Sequence, residues 1–356
     1  MSKYWSNLVK NIKPYVPGEQ PKDQKYIKLN TNENPYPPSA KALEAIKNAA
    51  NETLRLYPDP AGDILRETIA GHFHLTKENV FIGNGSDELL AFSFPAFFEP
   101  AGLPILFAEV TYSFYPVYAE FFNISYRLIP VDDEFNISID GYFQENGGII
   151  IANPNAPSGR GIPLATIENI LQQNKSSVVI LDEAYIDFGG QSAAGLINRC
   201  TNLLVIRTLS KSYSLAGLRM GFALGSAELI EGLTRVKDSI NSYTVDRLAQ
   251  AGAREAIKDD AYFQETRAKI IRTRERATAR LIDLGFHVIP SQANFIFISH
   301  TQCHGRILFQ KLRGKGILVR YFDKPRIDNY LRVTIGTDEE MDVFLQEAER
   351  ILASAL

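Results

Sequence analysis

Short apolar runs alternate with amphipathic stretches along the first two thirds of the chain, and this alternation limits the possible folds most strongly. The runs at residues 148–152, 177–181 and 203–207 are rich in β-branched residues, as in strands that are buried on both faces. Between the first two, residues 162–173 place their apolar side chains at helical spacing. The pattern predicts an α/β domain with helices on both faces of a mostly parallel sheet. Further strands are predicted at 79–82, 103–107, 125–130 and 220–224.

The pattern changes after about Thr244. Residues 245–284 have the charged, periodic composition of one long helix, and a closing helix is predicted from Asp338 toward Leu356. Between them lie strand-like runs at 294–299, 317–320 and 330–335, so this part predicts a smaller α+β domain. We therefore expect a segment 1–50 that packs with the small domain, a large domain 51–246 and a small domain 247–356.

The composition restricts the partners and the location. The net charge of −3 predicts no whole-molecule attraction to nucleic acid or to an anionic membrane. Two cysteines, Cys200 and Cys303, exclude a disulfide framework and suit a reducing compartment. No second Cys or His pair accompanies Cys303-His304 at ligand spacing, so no metal is expected. Residues 1–18 lack the apolar core of a signal peptide. These features predict a cytoplasmic protein with small-molecule substrates.

A lysine in a loop of hydroxyl and small residues is the most informative candidate. Lys211 follows the apolar run 203–207, Ser210 precedes it, and Arg219 comes eight residues later. A lysine amine in such a pocket can form an imine with an aldehyde cofactor such as pyridoxal phosphate. The hydroxyl and the guanidinium could then bind the cofactor phosphate. Alone, a Ser-Lys pair after a strand is weak evidence, because most lysines in such places are surface residues.

Two other strand ends carry polar residues suited to the same cofactor. Asp182 follows the run 177–181, at the strand edge where open α/β sheets bind ligands, and its carboxylate could pair with a protonated pyridine nitrogen. Tyr185 could bond the phenolic oxygen of the ring. Gly83-Asn-Gly-Ser86-Asp87 follows another strand and begins a helix, whose backbone N–H groups could hold a phosphate. Taken singly, a helix-capping Asp and an ordinary tight turn explain these motifs equally well.

The order of these motifs resembles that of the fold-type I aminotransferases, which use pyridoxal 5′-phosphate. Within that class the chain is similar to the histidinol-phosphate aminotransferase family, from about Pro14 into the C-terminal helix. The similarity rests on residues 29–36 (Leu-Asn-Thr-Asn-Glu-Asn-Pro-Tyr), 56–59 (Leu-Tyr-Pro-Asp), 153–159, 207–219 and 331–336 (Leu-Arg-Val-Thr-Ile-Gly). Each motif is moderately specific, and the set in this order is much more so.

The resemblance implies roles for particular residues around the cofactor. Lys211 would be the Schiff-base lysine and Asp182 the partner of the pyridinium nitrogen. The remaining cofactor contacts that the resemblance implies are Tyr185 to the phenolic oxygen, Tyr112 stacked on the ring, and Ser86, Asp87 (both through the backbone), Ser210 and Arg219 at the phosphate. One position departs from the family, because Ala156 stands where an Asn usually bonds the phenolic oxygen. We expect the preceding Asn155 to take that role.

The resemblance also implies the assembly, the substrates and the reaction. Tyr57 is similar to a residue that reaches the cofactor phosphate of a neighbouring subunit, which implies a homodimer. Arg320 and Arg332 are similar to residues that bind the substrate anion, and Tyr15 and Asn34 to residues near the substrate. The implied reaction converts histidinol phosphate and 2-oxoglutarate into imidazole acetol phosphate and glutamate, a step of histidine biosynthesis.

Other functions on the same scaffold stay open from the sequence. An aromatic-amino-acid aminotransferase or a phosphothreonine decarboxylase would use the same cofactor residues, and substrate profiling separates them. A non-catalytic ligand-sensing module is the alternative from another class. Intact Lys211 and Asp182 speak against that alternative. The breadth of amino-donor specificity is not predictable from these motifs.

Overall fold

The computed structural model describes residues 2–353, which contain two β-sheets covered by helices. The α-helices are α1 (Asn7–Asn11), α2 (Ala40–Ala49), α3 (Asp63–Phe73), α4 (Gly85–Phe97), α5 (Phe114–Phe121), α6 (Leu164–Gln173), α7 (Ala227–Ile240), α8 (Arg247–Lys258), α9 (Asp260–Asp283), α10 (Gly305–Gly314) and α11 (Asp338–Ala353). The last three residues of the predicted closing helix lie outside the described residues. Within residues 2–353, no helix has the length and apolarity needed to cross a membrane.

The strands form one sheet of seven and one of five. They are β1 (Ile27–Leu29), β2 (Val80–Gly83), β3 (Ile105–Ala108), β4 (Tyr126–Ile129), β5 (Gly148–Ala152), β6 (Val179–Asp182), β7 (Leu203–Thr208), β8 (Gly221–Gly225), β9 (His287–Ile289), β10 (Phe295–Ser299), β11 (Ile317–Tyr321) and β12 (Leu331–Thr334). The strand orders are β2-β8-β7-β6-β5-β3-β4 and β1-β11-β12-β10-β9.

The seven-stranded sheet is parallel except for β8, which runs antiparallel between β2 and β7. Its central strands β5, β6 and β7 are buried along their whole length because helices cover both faces. This explains their unbroken apolar sequences. The predicted α/β class with a mostly parallel sheet is confirmed. The observed strand ends lie within about two residues of the predicted ones, the normal uncertainty of such boundaries.

The prediction of one long helix over residues 245–284 is wrong, because the helix is interrupted at Asp259. That residue has φ −89° and ψ 59°, which ends α8 and starts α9 in a new direction. Its carboxylate accepts a hydrogen bond from Lys41 Nζ at 2.8 Å. Helix α8 packs Ala249 and Ala253 into the hydrophobic core under the seven-stranded sheet. The core of the five-stranded sheet takes its first helical contributions from α9.

The N-terminal segment joins the five-stranded sheet through β1, which pairs in parallel with β11, Lys28 opposite Leu318. Leu29 is buried in the core of that sheet. Residues 27–29 thus tie the N-terminal segment to the five-stranded sheet, and the packing of the whole segment 1–50 with a small domain stays a prediction. The boundaries after residues 50 and 246 stay predictions, and α8 packs on the earlier side of the second of them.

Candidate active site

The carboxyl ends of the central strands open into a cavity of about 350 Å³ between the two sheets. Ala152 and Asp182 end β5 and β6 and are register partners, and Ile206 lies beside Asp182 two residues before the end of β7, at the edge where open α/β sheets bind ligands. Nine predicted residues line the cavity: Ser86, Asp87, Tyr112, Asp182, Tyr185, Ser210, Lys211, Arg219 and Arg332. They come from segments up to 246 residues apart (332 − 86) and from both sheets.

Asp182 is a buried carboxyl aimed at the cavity. One of its oxygens accepts a hydrogen bond from the hydroxyl of Tyr115 at 2.8 Å, and the other from the backbone N–H of Ala184 at 3.2 Å. Burial raises the pKa of Asp182 to about 6, although both hydrogen bonds oppose the shift. A carboxylate in this setting favours a cation beside it, and a protonated ring nitrogen meets that requirement.

Lys211 lines the same cavity, and its amine has a lowered pKa. Burial first, and then the nearby charge of Arg332, lower the pKa of Lys211 to about 8. Its Nζ donates to the carbonyl of Thr31 at 3.1 Å. An amine with a depressed pKa is deprotonated in a useful fraction near neutral pH, as a nucleophile or general base must be.

Asn34, predicted near the substrate, instead holds the loop that carries Lys211. Its side-chain N–H donates to the carbonyl of Lys211 at 3.0 Å and reaches that of Ser212 at 3.3 Å. Its side-chain oxygen accepts the backbone N–H of Tyr36. Because these bonds commit the amide to the backbone, the structure does not place it among the cavity-lining groups.

The start of α4 forms an anion cradle at one end of the cavity. Ser86 and Asp87 lie in its first turn, where free backbone N–H groups favour a phosphate. Gly85 has φ 80°, and a Cβ there would lie 2.7 Å from a guanidinium nitrogen of Arg219. Arg219 donates to Asp87 at 3.2 Å. Ser210 approaches from the Lys211 loop, where its hydroxyl lies 3.0 Å from that of Thr208.

Tyr112 and Tyr15 lie close together at the cavity, and their predicted roles at the cofactor and the substrate stay predictions. The hydroxyl of Tyr112 donates to Asp87 at 2.9 Å, which fixes the ring as one wall. Tyr15 stacks on Phe114 with ring centroids 4.2 Å apart and lies 6.3 Å from Tyr112. Tyr112 therefore lines the cavity, whereas Tyr15 lies next to Tyr112 without lining it.

The expectation that Asn155 supplies the missing amide is wrong in this structure. Asn155 is fully buried and its side chain turns away from the cavity. Its amide N–H groups donate to the carbonyl of Val110 at 2.8 Å and the hydroxyl of Ser158, and its oxygen accepts from Thr111. The cavity wall at this point is the methyl group of Ala156. The wall beside Tyr185 thus offers no amide from this loop.

Arg320 and Arg332 converge from adjacent strands, as predicted. They are direct register partners across β11 and β12, so their side chains share one face of the sheet. Arg332 lines the cavity and donates to the carbonyl of Asn30 at 3.1 Å, while its Nε is buried without a partner within the described residues. Arg320 lies just outside and donates to the carbonyl of Val16 at 3.0 Å.

Tyr57 lies on the surface, far more exposed than the cavity residues, at 77% of its full accessibility. Its ring stacks on Tyr243 with centroids 4.5 Å apart. Exposed apolar side chains lie in nearby segments of sequence, among them Leu54, Leu56 and Ile64. The residue therefore contributes nothing to the cavity of its own chain.

Sequence reasoning missed several residues with a place at this site, among them Asn32, Glu33, Tyr115 and Thr208. Asn32, Glu33 and Thr208 line the cavity, and Tyr115 bonds Asp182. Thr208 was detectable, since its hydroxyl comes two residues before that of Ser210 at the end of a strand. Tyr115 stands in an aromatic-rich run, Thr111–Tyr115, where nothing in the pattern separates it from Phe114.

The architecture and the cavity are those of the class I and II aminotransferases, whose family model ("Aminotransferase class I and II") matches residues 24–347. Two curated relatives named histidinol-phosphate aminotransferase share more than half of their residues with this chain. The one from Clostridium acetobutylicum is 58% identical over 99% of this chain and 100% of its own length. The one from Clostridium beijerinckii is 56% identical over 99% of both chains. The chain belongs to the histidinol-phosphate aminotransferase family.

A solved structure supports the same fold. It is the histidinol-phosphate aminotransferase of Sinorhizobium meliloti, described in complex with pyridoxal-5′-phosphate. It superposes with a TM-score of 0.90 over 100% of this chain and 99% of its own, at 23% identity. At that identity the likeness concerns the fold alone, and the predicted fold class is confirmed.

Proposed function

We propose that this chain transfers an amino group between histidinol phosphate and 2-oxoglutarate with pyridoxal 5′-phosphate as its cofactor, a step of histidine biosynthesis. The observation that carries the proposal is the arrangement of Asp182 and Lys211 on one cavity. A buried carboxyl that favours a cation and a lysine of lowered pKa suit the two ends of one pyridine aldehyde. The family membership of the chain supports the same reaction.

The cavity residues fit the cofactor's separate groups. Lys211 Nζ would hold it covalently, and Asp182 would pair with the ring nitrogen. When bound, the cofactor supplies an electron sink for the carbon that loses its proton. The start of α4, with Ser86 and Asp87, would take the phosphate together with Ser210 and Arg219. Tyr112 would cover the ring, and Tyr185 would bond its phenolic oxygen.

Lys211 is the group placed to move the proton. With the cofactor held by its phosphate and ring contacts, the Lys211 Nζ would be free within the same cavity to act as a base. Burial and Arg332 keep the pKa of the amine low enough for it to accept a proton near neutral pH. Loss of Lys211 should therefore remove turnover, whereas the phosphate cradle should still retain some cofactor.

Arg332 and Arg320 supply positive charge for the anionic group of each substrate. Histidinol phosphate carries a phosphate on the carbon next to its amine-bearing carbon and 2-oxoglutarate carries carboxylates, and a guanidinium binds either. Within residues 2–353 neither arginine forms an ion pair with a carboxylate, so both charges stay available to a substrate. Tyr15, which stacks on Phe114 with its ring 6.3 Å from that of Tyr112, would lie near the bound substrate.

The active unit is a homodimer in this proposal. Tyr57 and Tyr243 form an exposed aromatic pair, and Tyr57 is too far outside the cavity to serve its own chain. A two-fold partner would place the Tyr57 hydroxyl at the cofactor phosphate of the other subunit. We place the enzyme in the cytoplasm, consistent with its two free cysteines.

Reduction and substrate profiling test the proposal. Borohydride treatment of the cofactor-loaded protein followed by tryptic mapping should label Lys211, and a label on another lysine would refute the assignment. A separate sample of the cofactor-loaded enzyme, not treated with borohydride, should then be assayed with histidinol phosphate, phenylalanine and phosphothreonine. Preference for histidinol phosphate supports the proposal. Preference for phenylalanine, or release of carbon dioxide from phosphothreonine, would assign a different reaction to the same cofactor site.

A further inference from the structure

We propose that Asn32 is a positioning residue for Tyr185, whose hydroxyl proton it directs into the cavity. The side-chain N–H of Asn32 donates to the Tyr185 hydroxyl oxygen at 2.9 Å. The inference deepens the proposed function and rests on it, because the oxygen that would receive the proton belongs to the cofactor. It assigns a role to a residue that the sequence analysis did not select.

Asn32 is held rigidly in place. It is 1% exposed and has φ 56°, a left-handed conformation that Asn tolerates better than most residues. Its backbone N–H donates to the hydroxyl of Thr334 at 2.9 Å, and its carbonyl accepts from Asn294 at 3.0 Å. The N-terminal segment is thereby fastened to β12 and to the residue before β10, directly beside Tyr185.

Thr334 determines which end of the Asn32 amide faces Tyr185. The Thr334 oxygen already accepts the backbone N–H of Asn32, and its single proton goes to the Asn32 side-chain oxygen at 3.0 Å. A hydroxyl has one proton to donate, so this exchange uses it. The NH₂ end of the amide is therefore turned toward Tyr185.

Apolar side chains pack against the Tyr185 ring, and the charged groups that act on it are Lys211, whose Nζ lies 5.8 Å from the ring centroid, Arg332, Asp182 and Asp87. The Tyr185 ring packs edge-on against Phe295, with centroids 5.0 Å apart at 88°, and against Ala156 and Ala293. Among the described residues, Asn32 is the hydrogen-bond partner of the Tyr185 hydroxyl. With a methyl group at position 156, this part of the wall has no second amide to orient the phenol.

This arrangement determines where the Tyr185 hydroxyl can donate its proton. Because the Tyr185 oxygen accepts from Asn32, its own O–H is free to donate to an oxygen in the cavity. Accepting a hydrogen bond also makes a hydroxyl a better donor. Asn32 thus prepares Tyr185 to stabilise an anionic phenolic oxygen, and it does so without touching the cofactor.

The test is a spectroscopic titration of the cofactor-loaded enzyme without substrate. Asn32→Gly removes the amide and keeps the left-handed backbone at no steric cost. A hydrogen bond to an anionic oxygen favours the deprotonated state, so weakening that bond raises the pH of the absorbance transition. We expect a shift of about half a unit to one unit, a threefold to tenfold change in proton affinity. Cofactor affinity, measured by fluorescence titration, should fall in parallel.

A double-mutant comparison with Tyr185→Phe separates positioning from structure. In the Tyr185→Phe background, Asn32→Gly should produce no further shift, since the hydroxyl through which it acts is gone. Asn32→Asp is the second variant, which suits the same backbone conformation and replaces the donor by an acceptor. Its effect should be larger in the presence of the Tyr185 hydroxyl than in its absence.

Two outcomes would overturn the inference. One is an unchanged transition in both Asn32 variants despite normal folding, and the other is an equal shift with and without the Tyr185 hydroxyl. Either would leave Asn32 a structural link between the N-terminal segment and β12. Failure of the proposed function looks different, because the unsubstituted protein would then show no pH-dependent visible absorbance and no reducible bond at Lys211.

Discussion

The hydroxyl of Tyr115 donates to Asp182 at 2.8 Å, and both side chains are buried, Asp182 in the lining of the cavity and Tyr115 behind it. The bond stabilises the charged form of a carboxyl whose pKa burial has raised to about 6. Tyr115 is the second residue of α5 and follows Tyr112 by three positions. A single short segment thus shapes the cavity wall and also sets the charge of the group expected to face the ring nitrogen.

Tyr115→Phe should weaken cofactor binding. A hydrogen bond to a charged group contributes about 1.5–3 kcal/mol, so the dissociation constant for pyridoxal phosphate should rise about tenfold or more at neutral pH. Fluorescence titration of the cofactor-free protein measures it. Tyr142→Phe is the matched control, because Tyr142 is equally buried and its hydroxyl has no partner within the described residues. An equal loss in both variants would show that Tyr115 acts through packing.

Asp182 should make the stability of the cofactor-free protein depend on pH. Its pKa is about 6 when folded and about 3.9 when unfolded. Between these values the folded state binds more protons than the unfolded state, so the free energy of unfolding falls as the pH rises. The contribution is fully present below pH 4 and lost above pH 6, and amounts to about 3 kcal/mol.

Denaturant unfolding of the wild type and Asp182→Asn, both without cofactor, measures this effect. The Asn variant cannot titrate, so it should gain about 3 kcal/mol relative to the wild type between pH 4 and pH 7. A difference between the two proteins that stays constant over this range would show that Asp182 ionises normally in the folded state.

The sequence was sufficient wherever strand ends determine position. Asp182 and Lys211 follow buried parallel strands, and Ser86 starts a helix after another, so the topology of the sheet brings them together. Inside irregular loops the same reasoning failed. Asn155 and Ala156 are neighbours in such a loop, and which of them faces the cavity depends on buried bonds to Val110 and Thr111, distant in sequence.

Residues that act through another residue were equally invisible in the sequence. Tyr115 and Asn32 make their contacts over 67 and 153 positions of sequence. A polar residue of this kind has no local signature, because its partner is fixed only by the packing of two distant segments. Asn34 shows the reverse case, since its motif pointed to the substrate whereas its amide is committed to the backbone of Lys211 and Ser212.

Tyr57→Phe should weaken cofactor retention without unfolding the protein. The substitution keeps the ring stacked on Tyr243 and removes the hydroxyl expected to reach the partner subunit's phosphate. The loss of one hydrogen bond to a charged group should speed cofactor release about tenfold or more. Tyr243→Phe, in the same ring pair, should leave retention unchanged. Sedimentation combined with an activity assay tests the dimer itself, and a fully active monomer would refute it.

Arg320→Ala should raise the Michaelis constant for histidinol phosphate more than that for an aromatic amino acid such as phenylalanine. Arg320 and Arg332 lie side by side on the neighbouring strands β11 and β12. Two positive charges on adjacent strands, neither paired with a carboxylate, favour the binding of an anion near both. Loss of one charge-assisted contact costs about 1.5–3 kcal/mol, a factor of about ten to over a hundred in binding. Phenylalanine carries a singly charged carboxylate in place of the phosphate ester and should lose less.

Arg313→Ala is the control for that prediction. Arg313 and Arg320 line one surface pocket together with Val16 and Glu19. The guanidinium of Arg313 is paired with Glu19 at 3.0 Å, so the substitution removes no unpaired positive charge that a substrate could use. Steady-state kinetics with both substrates should therefore separate the two variants. If Arg320→Ala impairs histidinol phosphate and phenylalanine equally, Arg320 serves to hold the carbonyl of Val16. The anion site would then consist of Arg332 alone, and the transfer of the amino group at Lys211 would be unaffected by that revision.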